Sequence, residues 1–309
     1  MRVTALAGGV GAAKLLVGLQ EVLEPTQLTA VVNTGDDAVI YGVHVSPDLD
    51  ICTYWLAGIA DRDRGWGIRD DTFHFVEALG HLGRANWFRL GDKDLATCIY
   101  RTQRLKEGAS LTVATAELAR SFGLKGRILP MSDDPVRTMV VTDDGRELNF
   151  QEYFVKERTE PEIAEIRYEG TGDARPGPAV LDAVASADVL IVCPSNPHLS
   201  IEPILSVSGV RPALVEHPSV VSVSPIVGGA ALKGPADRLL KRLTGESSAA
   251  AVADRYRDFC TLFVCDSNDR DQTGIIEEKS QVETVALDTI MSDLVSSRRL
   301  AESLLEVAW

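Results

Sequence analysis

Two closely spaced carboxylates near the start of the chain could hold a divalent cation. Asp48 and Asp50 follow Pro47 and precede a helix predicted over residues 52–60. Hard oxygen ligands of this kind bind Mg²⁺, which they share with the phosphates of a substrate. Carboxylates at the start of a helix can also accept hydrogen bonds from its free N–H groups. We expect Asp50 to contact a metal ion or substrate, whereas a ligand role and a capping role both stay open for Asp48.

A glycine-rich turn near the N-terminus could bind phosphate groups. Gly8, Gly9 and Gly11 stand between an apolar run that predicts a buried strand and a segment with leucine and valine at helical spacing. A strand, a turn and a helix in this order present backbone N–H groups and the positive end of the helix to an anion. Lys14, in the first turn of the predicted helix, could add a positive charge. The turn lacks the complete Walker or dinucleotide-binding pattern, and tight turns need glycine even where nothing binds.

Polar loops follow two further predicted strands. Asn33 and Asp36 follow an apolar strand over residues 28–32, and Ser195 and Asn196 follow the most strand-like segment of the chain. Because ligands bind beyond the carboxyl ends of the strands in an open parallel sheet, these side chains should line the same crevice as the glycine turn. They could hydrogen-bond to phosphate or sugar, although the same residue types also form ordinary turns.

Trp87, Arg89 and Lys93 combine an aromatic surface with two cations between predicted helices. A flat, partly polar ring could stack on the aromatic side chain. The alternative is that the tryptophan belongs to the core and the two cations are solvated, which is their common state.

An α/β framework is needed to bring these loops together. Short apolar β-like segments alternate with amphipathic helices along the chain, which is typical of a mainly parallel sheet. We predict an α/β fold with a Rossmann-like core in a single domain over residues 1–309. Residues 50–125 predict a mainly helical insertion, and two β-like segments joined by Asp144 and Gly145 predict a small hairpin excursion.

The composition argues against several classes of protein. The chain has 309 residues, of which 45% are apolar, and a net charge of −14, which argues against nonspecific binding of nucleic acid. No apolar run approaches the roughly 20 residues that span a membrane. The five cysteines include no C-x-x-C pair, so we expect reduced thiols in the cytoplasm and no zinc site.

The chain contains six motifs in this order: GGVG at residues 8–11, NTGDD at 33–37, SPDLD at 46–50, GDKDLAT at 91–97, MSDD at 131–134 and PSNP at 194–197. Together they resemble the motifs of the 2-phospho-L-lactate transferase family, which works in the biosynthesis of coenzyme F420. The resemblance covers almost the whole chain. It implies a Rossmann-like α/β core with a mostly helical insertion, usually in a homodimer.

The resemblance implies transfer of a phospholactyl group. The donor would be lactyl-2-diphospho-5'-guanosine, and the acceptor would be the ribityl hydroxyl of 7,8-didemethyl-8-hydroxy-5-deazariboflavin (Fo). Coenzyme F420-0 and GMP would be the products, and Mg²⁺ would be required. Such reactions are catalysed mainly by positioning and by neutralising phosphate charge. Some relatives use a phosphoenolpyruvate-derived donor, but the segment over residues 131–136 favours phospholactate.

The resemblance also assigns the acceptor site to individual residues. Asp50 matches the aspartate implicated in metal and Fo contact, with Asp48 beside it. A basic residue in the family's Leu-Gly-Asp segment is tied to Fo binding. The usual arginine is Lys93 in this chain, which lacks the two-pronged geometry of a guanidinium. Arg89 would share this contact or take it over, next to Trp87.

The nucleotide would lie across the glycine turn. The resemblance implies that the turn holds the donor phosphates, with Ser195 and Asn196 opposite. Asp133 or Asp134, which follow another predicted strand, could accept hydrogen bonds from N1 and N2 of guanine on chemical grounds.

Two other functions stay open. Regulatory proteins of the same superfamily bind nucleotide-sugars without known transfer, but they generally lack the Pro-Asp-Leu-Asp segment that this chain has at residues 47–50. A nicotinamide oxidoreductase would need a third fingerprint glycine, which this turn lacks. It would also need an acidic residue where the second predicted strand ends in Asn33.

Overall fold

The computed structural model describes residues 1–232 and 236–308 of the chain. Its strands, in chain order, are β1 Val3–Ala7, β2 Leu28–Val32, β3 Ala38–Ile40, β4 Val43–Val45, β5 Arg127–Pro130, β6 Arg137–Thr142, β7 Glu147–Asn149, β8 Ile163–Glu169, β9 Val189–Val192, β10 Val220–Val223, β11 Ile226–Val227, β12 Ala230–Ala231, β13 Leu262–Asp266 and β14 Glu283–Leu287. Its helices are α1 Gly9–Val22, α2 Pro47–Leu56, α3 His74–His81, α4 Asp92–Lys106, α5 Leu111–Ser121, α6 Val180–Ser186, α7 Glu202–Ser206, α8 Val210–Val215, α9 Ala236–Thr244, α10 Ala249–Tyr256, α11 Thr273–Ser280 and α12 Leu294–Val307. Shorter helical turns cover Pro25–Gln27, Glu152–Lys156, Pro197–Ile201 and Ser267–Gln272.

A seven-stranded parallel sheet forms the centre of the fold, in the order β14-β13-β10-β9-β1-β2-β5. Every residue of β1 and β9 is buried, because helices cover both faces of the sheet. α1, α2 and α12 pack on one face, and α6, α8 and α10 pack on the other. Burial on both faces explains the continuous apolar runs of the central strands. The predicted α/β fold with a Rossmann-like, mainly parallel core is confirmed.

α1 and α12 pack against each other along one face of the sheet. Gly18 of α1 lies against Ser297 of α12, so that a Cβ at position 18 would collide with the carbonyl of Ser297. Leu300 and Leu304 of α12 are buried in the same cluster as the apolar side chains of α1. A glycine at the contact therefore sets how closely the two helix backbones approach.

Two groups of elements leave the sheet between its strands. α2 to α5 connect β4 to β5, while β6, β7 and β8 form a separate antiparallel sheet in the order β7-β6-β8. The predicted hairpin excursion is confirmed as β6 and β7. Strand β8 was not predicted, because Glu165, Arg167 and other exposed charged residues dominate its sequence. The bounds of the helical insertion and the single domain stay predictions.

The hairpin of β3 and β4 was also not predicted. Its turn residues Tyr41 and Gly42 have φ angles of 54° and 81°, as a tight two-residue hairpin turn requires. Tyrosine rarely occupies the first of these positions, so the sequence carries no turn signal here. The hairpin brings His44 to α4, where its backbone N–H donates to Thr102 Oγ1 at 2.7 Å.

Helix α2 begins at Pro47 rather than at residue 52. Proline is favoured in the first helical turn because its missing N–H would have no partner there. Asp48 and Asp50 therefore lie inside the first turn of α2, not in the loop before it. The predicted strand over residues 28–32 agrees closely with the structure, since β2 spans the same residues. No described helix is long and apolar enough to cross a membrane.

Candidate active site

The first turn of α2 directs its two carboxylates to different partners. Both side chains are buried, but residues two apart on a helix do not face each other. Asp48 points to the glycine turn before α1, and Asp50 points to α4. The two predicted metal ligands therefore do not converge on one point within the helix itself.

Asp48 lies directly against the glycine turn. A Cβ at Gly8 would lie 2.5 Å from Asp48 Oδ2 and 2.6 Å from Ser200 Cβ, which explains why this position needs glycine. Asp48 accepts hydrogen bonds from Asn33 Nδ2 at 2.9 Å and from the N–H of Gly9. Burial raises its pKa to about 6, and these hydrogen bonds offset only part of that effect. The turn thus already holds an anion that belongs to the protein.

Asp50 is bound by a buried arginine. Both of its oxygens accept from the guanidinium of Arg101, with Nη1 at 3.1 Å from Oδ2 and Nη2 bonded to Oδ1. Arg101 is only 2% exposed, and its Nη1 also donates to the carbonyl of His44 at 3.2 Å. Burial is the largest single effect on Arg101 and lowers its pKa, but the charge and hydrogen bonds of Asp50, together with other neighbouring groups, exceed it and raise the pKa. Burial raises the pKa of Asp50, and the charge and hydrogen bonds of Arg101 oppose that effect.

Asp36 extends the acidic surface beside Asp48. It accepts from Gln151 Nε2 at 3.0 Å and more weakly from Asn33 Nδ2 at 3.4 Å. Burial first, and then the charges of Asp48 and Asp37, raise its pKa well above the usual range. The hairpin excursion therefore contributes a side chain to this region, and Gln151 is a site residue that the sequence did not indicate.

Asp94, in the first turn of α4, was also not predicted. It accepts from Tyr54 OH at 2.7 Å, and burial together with the charge of Asp50 raises its pKa to about 7. Asp50, Asp94 and Cys98 are the one group in the described part of the chain with three metal-ligating atoms mutually within 4.8 Å. Arg101 already contacts this group, with Nη1 4.0 Å from Cys98 Sγ. A guanidinium therefore already supplies positive charge there.

The donor set of the wider cluster fits Mg²⁺. It consists of hard carboxylate oxygens whose charges interact, and Arg101 binds one of these side chains, Asp50. The members are Asp36, Asp37, Asp48, Asp50 and Asp94. Burial raises the pKa values of Asp36 and Asp48 more than the hydrogen bonds from protein groups lower them. One or two such carboxylates, completed by substrate phosphates, are the usual ligands of Mg²⁺.

The loop after β9 meets the glycine turn from the other side. Ser195 Oγ donates to the carbonyl of Gly8 at 2.9 Å, and a Cβ at Gly11 would collide with the carbonyl of Pro194. Asn196 Oδ1 accepts from two backbone N–H groups of the following helical turn. Its Nδ2 is buried without a hydrogen-bond partner among residues 1–232 and 236–308. The predicted proximity of this loop to the turn holds, and Asn196 keeps one donor for a ligand.

His198, two residues further on, should weaken the fold in acid. Its ring is buried, and burial lowers its pKa to about 3. The ring takes up a proton near pH ~6.5 in the unfolded chain, so the folded state binds fewer protons below that pH and loses stability as the pH falls. Between about pH 7 and about pH 5, the free energy of unfolding in urea should fall by about 2 kcal/mol less in His198→Gln than in the wild-type protein. The exposed His81 provides a control, and equal acid slopes for His81→Gln and His198→Gln would contradict the prediction.

Lys14 lies farther along α1 than predicted. Because α1 begins at Gly9, Lys14 occupies the second helical turn rather than the first. Its Nζ donates to the carbonyl of Met291 at 2.5 Å, in the loop between β14 and α12. A phosphate contact would require Lys14 to share or break this bond.

The acceptor segment, predicted from Trp87, Arg89 and Lys93, consists of a loop before Gly91 and a helix after it. Residues up to Gly91 form a loop, and α4 begins at the next residue. The guanidinium of the exposed Arg89 lies 4.4 Å from the centre of the Phe73 ring. Lys93 Nζ instead donates to the backbone carbonyls of residues 69 and 70, at 3.1 and 2.9 Å. Trp87 is half-buried beside Phe88 in a small apolar cluster.

Asp133 and Asp134 both accept hydrogen bonds from the backbone. Asp133 Oδ1 accepts from the N–H of Thr112 at the start of α5, at 2.6 Å. Asp134 Oδ2 accepts from the N–H of Arg175 at 2.8 Å. Each carboxylate keeps a second oxygen, so the guanine contact stays a prediction, but both side chains have a structural role that accounts for their presence.

Solved structures with the same fold include one from Bacillus halodurans. This protein, a member of the UPF0052 family, superposes with a TM-score of 0.64 over 98% of both chains. The two sequences are 15% identical, so the similarity concerns the fold.

Sequence comparisons identify the family. The family model described as 2-phospho-L-lactate transferase CofD matches residues 3–303. The 2-phospho-L-lactate transferase of Methanosarcina mazei is 41% identical over 96% of this chain and 97% of its own. The phosphoenolpyruvate transferase of Streptomyces griseus is 40% identical over 100% of this chain and 98% of its own. These matches cover nearly the whole sequence, and the chain belongs to the 2-phospho-L-lactate transferase family.

Proposed function

We propose that this transferase moves a phospholactyl group from lactyl-2-diphospho-5'-guanosine to the ribityl hydroxyl of Fo, giving coenzyme F420-0 and GMP. The observation that carries the proposal is the buried Asp48 carboxylate in the glycine turn, with Asp50 on the same helical turn. Carboxylates beside a phosphate-binding turn repel a diphosphate unless a cation lies between them. This arrangement suits a reaction in which phosphate and metal ion bind together.

Mg²⁺ would supply that cation and neutralise the charge of the donor phosphates. Asp48, which faces the turn, is the proposed ligand beside the phosphates. Asp50 would reach the ion only through the lone pairs that its two hydrogen bonds with Arg101 leave free. Protein groups would supply the hydrogen bonds that position the substrate. Asn196 Nδ2 would hydrogen-bond to a phosphate oxygen and hold the diphosphate in place across the turn. The carboxylate of Asp50 would orient the attacking hydroxyl of the acceptor.

The ring system of Fo would bind near Arg89. Arg89 stacks on Phe73, which in turn lies edge-on to Trp66 at 6.3 Å. These side chains offer an aromatic face and a cation close to the start of α4, where Asp94 lies. Trp87 and Lys93 complete the proposed acceptor segment.

Arg89→Ala should raise the KM for Fo by about tenfold or more, equivalent to about 1.4 kcal/mol of binding. Lys93→Ala should have a smaller effect, because its ammonium group is already bound to two backbone carbonyls. The donor KM should stay nearly constant in both variants. Steady-state kinetics that show an unchanged Fo KM in both would exclude this segment as the acceptor site.

Turnover with defined donors tests the proposed reaction. The protein with Mg²⁺ and Fo should release GMP from the lactyl donor, and mass spectrometry should identify coenzyme F420-0. The phosphoenolpyruvyl donor is the second candidate, favoured by the 40% identity to the Streptomyces griseus protein. A dehydro product formed faster than the lactyl product would establish it. Nucleotide binding without turnover of either donor would instead support a regulatory binding protein.

GDP should bind more tightly than ADP in calorimetric titrations. A carboxylate that accepts from guanine N1 and N2 is left without those partners when adenine replaces guanine. Equal affinities would exclude the proposed guanine contact of Asp133 and Asp134.

We also propose that the protein is a homodimer in the cytoplasm. Sedimentation of the purified protein tests the dimer.

A further inference from the structure

We infer that Arg101 is a positioning residue that holds Asp50 in the orientation needed for transfer. This inference rests on the proposed function of Asp50 at the acceptor hydroxyl. Arg101 itself is 2% exposed, and both of its terminal nitrogens bind protein groups, namely Asp50 and the carbonyl of His44. Its effect on the reaction would pass through the carboxylate that it binds.

The geometry of the pair fixes the plane of the carboxylate. Two nitrogen atoms of Arg101 each bind a different oxygen of Asp50. Two parallel hydrogen bonds restrict both the position and the rotation of the carboxylate, which a single contact does not do. Asp50 is also in the first turn of α2, so its backbone is held by the helix.

Arg101 connects three elements around this point. Its side chain comes from α4, the carboxylate comes from α2, and Nη1 also donates to the His44 carbonyl in β4. The proposed acceptor segment leads directly into α4. The pair therefore couples the helix that carries Asp50 to the helix next to which Fo would bind.

Stability alone does not explain a charged pair at this position. Removing two charges from water costs free energy that their attraction often fails to recover, and apolar residues of similar size can be more stable. Arg101 also leaves its Nε buried without a hydrogen-bond partner among the described residues. A role in orienting a reacting carboxylate gives a reason for keeping the pair despite this cost.

The test compares Arg101→Gln with Arg104→Gln. Arg104 lies one turn further along α4 and forms an ion pair with Glu117 of α5, with Nε 2.8 Å from Oε2. Arg101→Gln should lower kcat by about 100-fold while the donor KM changes by less than about threefold. Arg104→Gln should keep wild-type kcat. Arg101→Lys should also stay at least about tenfold below wild type, because an ammonium group lacks the two-pronged geometry.

A double variant keeps the test decisive if Arg101→Gln alone folds poorly. Asp50→Asn with Arg101→Gln removes both charges, so no unpaired buried charge remains. If Arg101 acts through Asp50, this double variant should have a kcat within about threefold of Asp50→Asn alone. Multiplied losses in the double variant, or wild-type kcat in Arg101→Gln or Arg101→Lys, would overturn the inference. A wild-type protein without turnover would instead contradict the proposed reaction.

Discussion

Asp48→Asn is expected to lower kcat by about 100-fold or more and at the same time to make the metal-free protein more stable. The carboxylate lies in the glycine turn, where it would neutralise Mg²⁺ that is shared with the donor phosphates. Asparagine keeps one acceptor oxygen, which can still accept from Asn33, but carries no charge. The rate should therefore fall because the metal ion is held less firmly, while the hydrogen bond from Asn33 persists.

The gain in stability follows from the raised pKa of Asp48. Burial raises it to about 6, above the value of about 3.9 in an unfolded chain. The folded state therefore loses stability as the pH rises through this interval, because ionisation is easier in the unfolded chain. At pH ~8 without metal, Asp48→Asn should be more stable by about 1–3 kcal/mol, and the difference should vanish below pH ~4.

Asp293 provides a control of opposite sign. Its side chain caps α12 and accepts from the N–H of Ser296 at 2.8 Å, and that hydrogen bond lowers its pKa. Asp293→Asn should therefore lose stability at neutral pH and keep wild-type kcat. Chemical denaturation and steady-state kinetics of both variants decide the matter. A stabilised Asp48→Asn protein with wild-type kcat would exclude Asp48 from the metal site.

Gly11→Ala should reduce kcat/KM for the donor by about 100-fold. The new methyl group would collide with the carbonyl of Pro194, which is backbone and cannot rotate away. The loop with Ser195 and Asn196 would have to shift away from the glycine turn. A shift of about 1 Å in groups that position a substrate can cost about 100-fold in rate.

Gly18→Ala is the matched control for this variant. Both glycines lie in α1, and both added methyl groups would collide with a backbone carbonyl, but Gly18 faces Ser297 of α12. Overpacking of this kind costs about 1–3 kcal/mol, and the helix-forming preference of alanine offsets part of it in both variants. Gly18→Ala should therefore lose stability and keep wild-type kcat/KM. Equal kinetic losses in the two variants would show that Gly11 acts only through the stability of α1.

The framework of the site could be predicted from local sequence patterns. The apolar runs of β1 and β9 and the glycine turn are properties of consecutive residues, and a parallel sheet then brings their loops to one edge. Pro47 also indicated where α2 begins, since proline favours the first helical turn. The prediction nevertheless placed the start of the helix at residue 52. Recognising it would have shown that Asp48 and Asp50 point in different directions.

The partners of the carboxylates could not be predicted in this way. Arg101 lies 51 positions from Asp50, and Gln151 lies 115 positions from Asp36. Neither contact can be read from the adjacent sequence, because each depends on how α4 or the hairpin excursion docks. Arginine and glutamine are usually exposed, so their burial beside an acidic cluster becomes visible only in three dimensions.

The packing of α1 against α12 also matters while the protein is being synthesised. α1 ends at Val22, whereas α12 begins at Leu294, so a ribosome that adds about 5–20 residues per second needs roughly 15–60 s to produce the second helix after the first. Throughout that interval the apolar side of α1 lacks one of its partners, and the sheet face beneath it is incompletely covered. The growing chain therefore presents a surface of the kind that chaperones bind, and the core closes only when translation has passed α12.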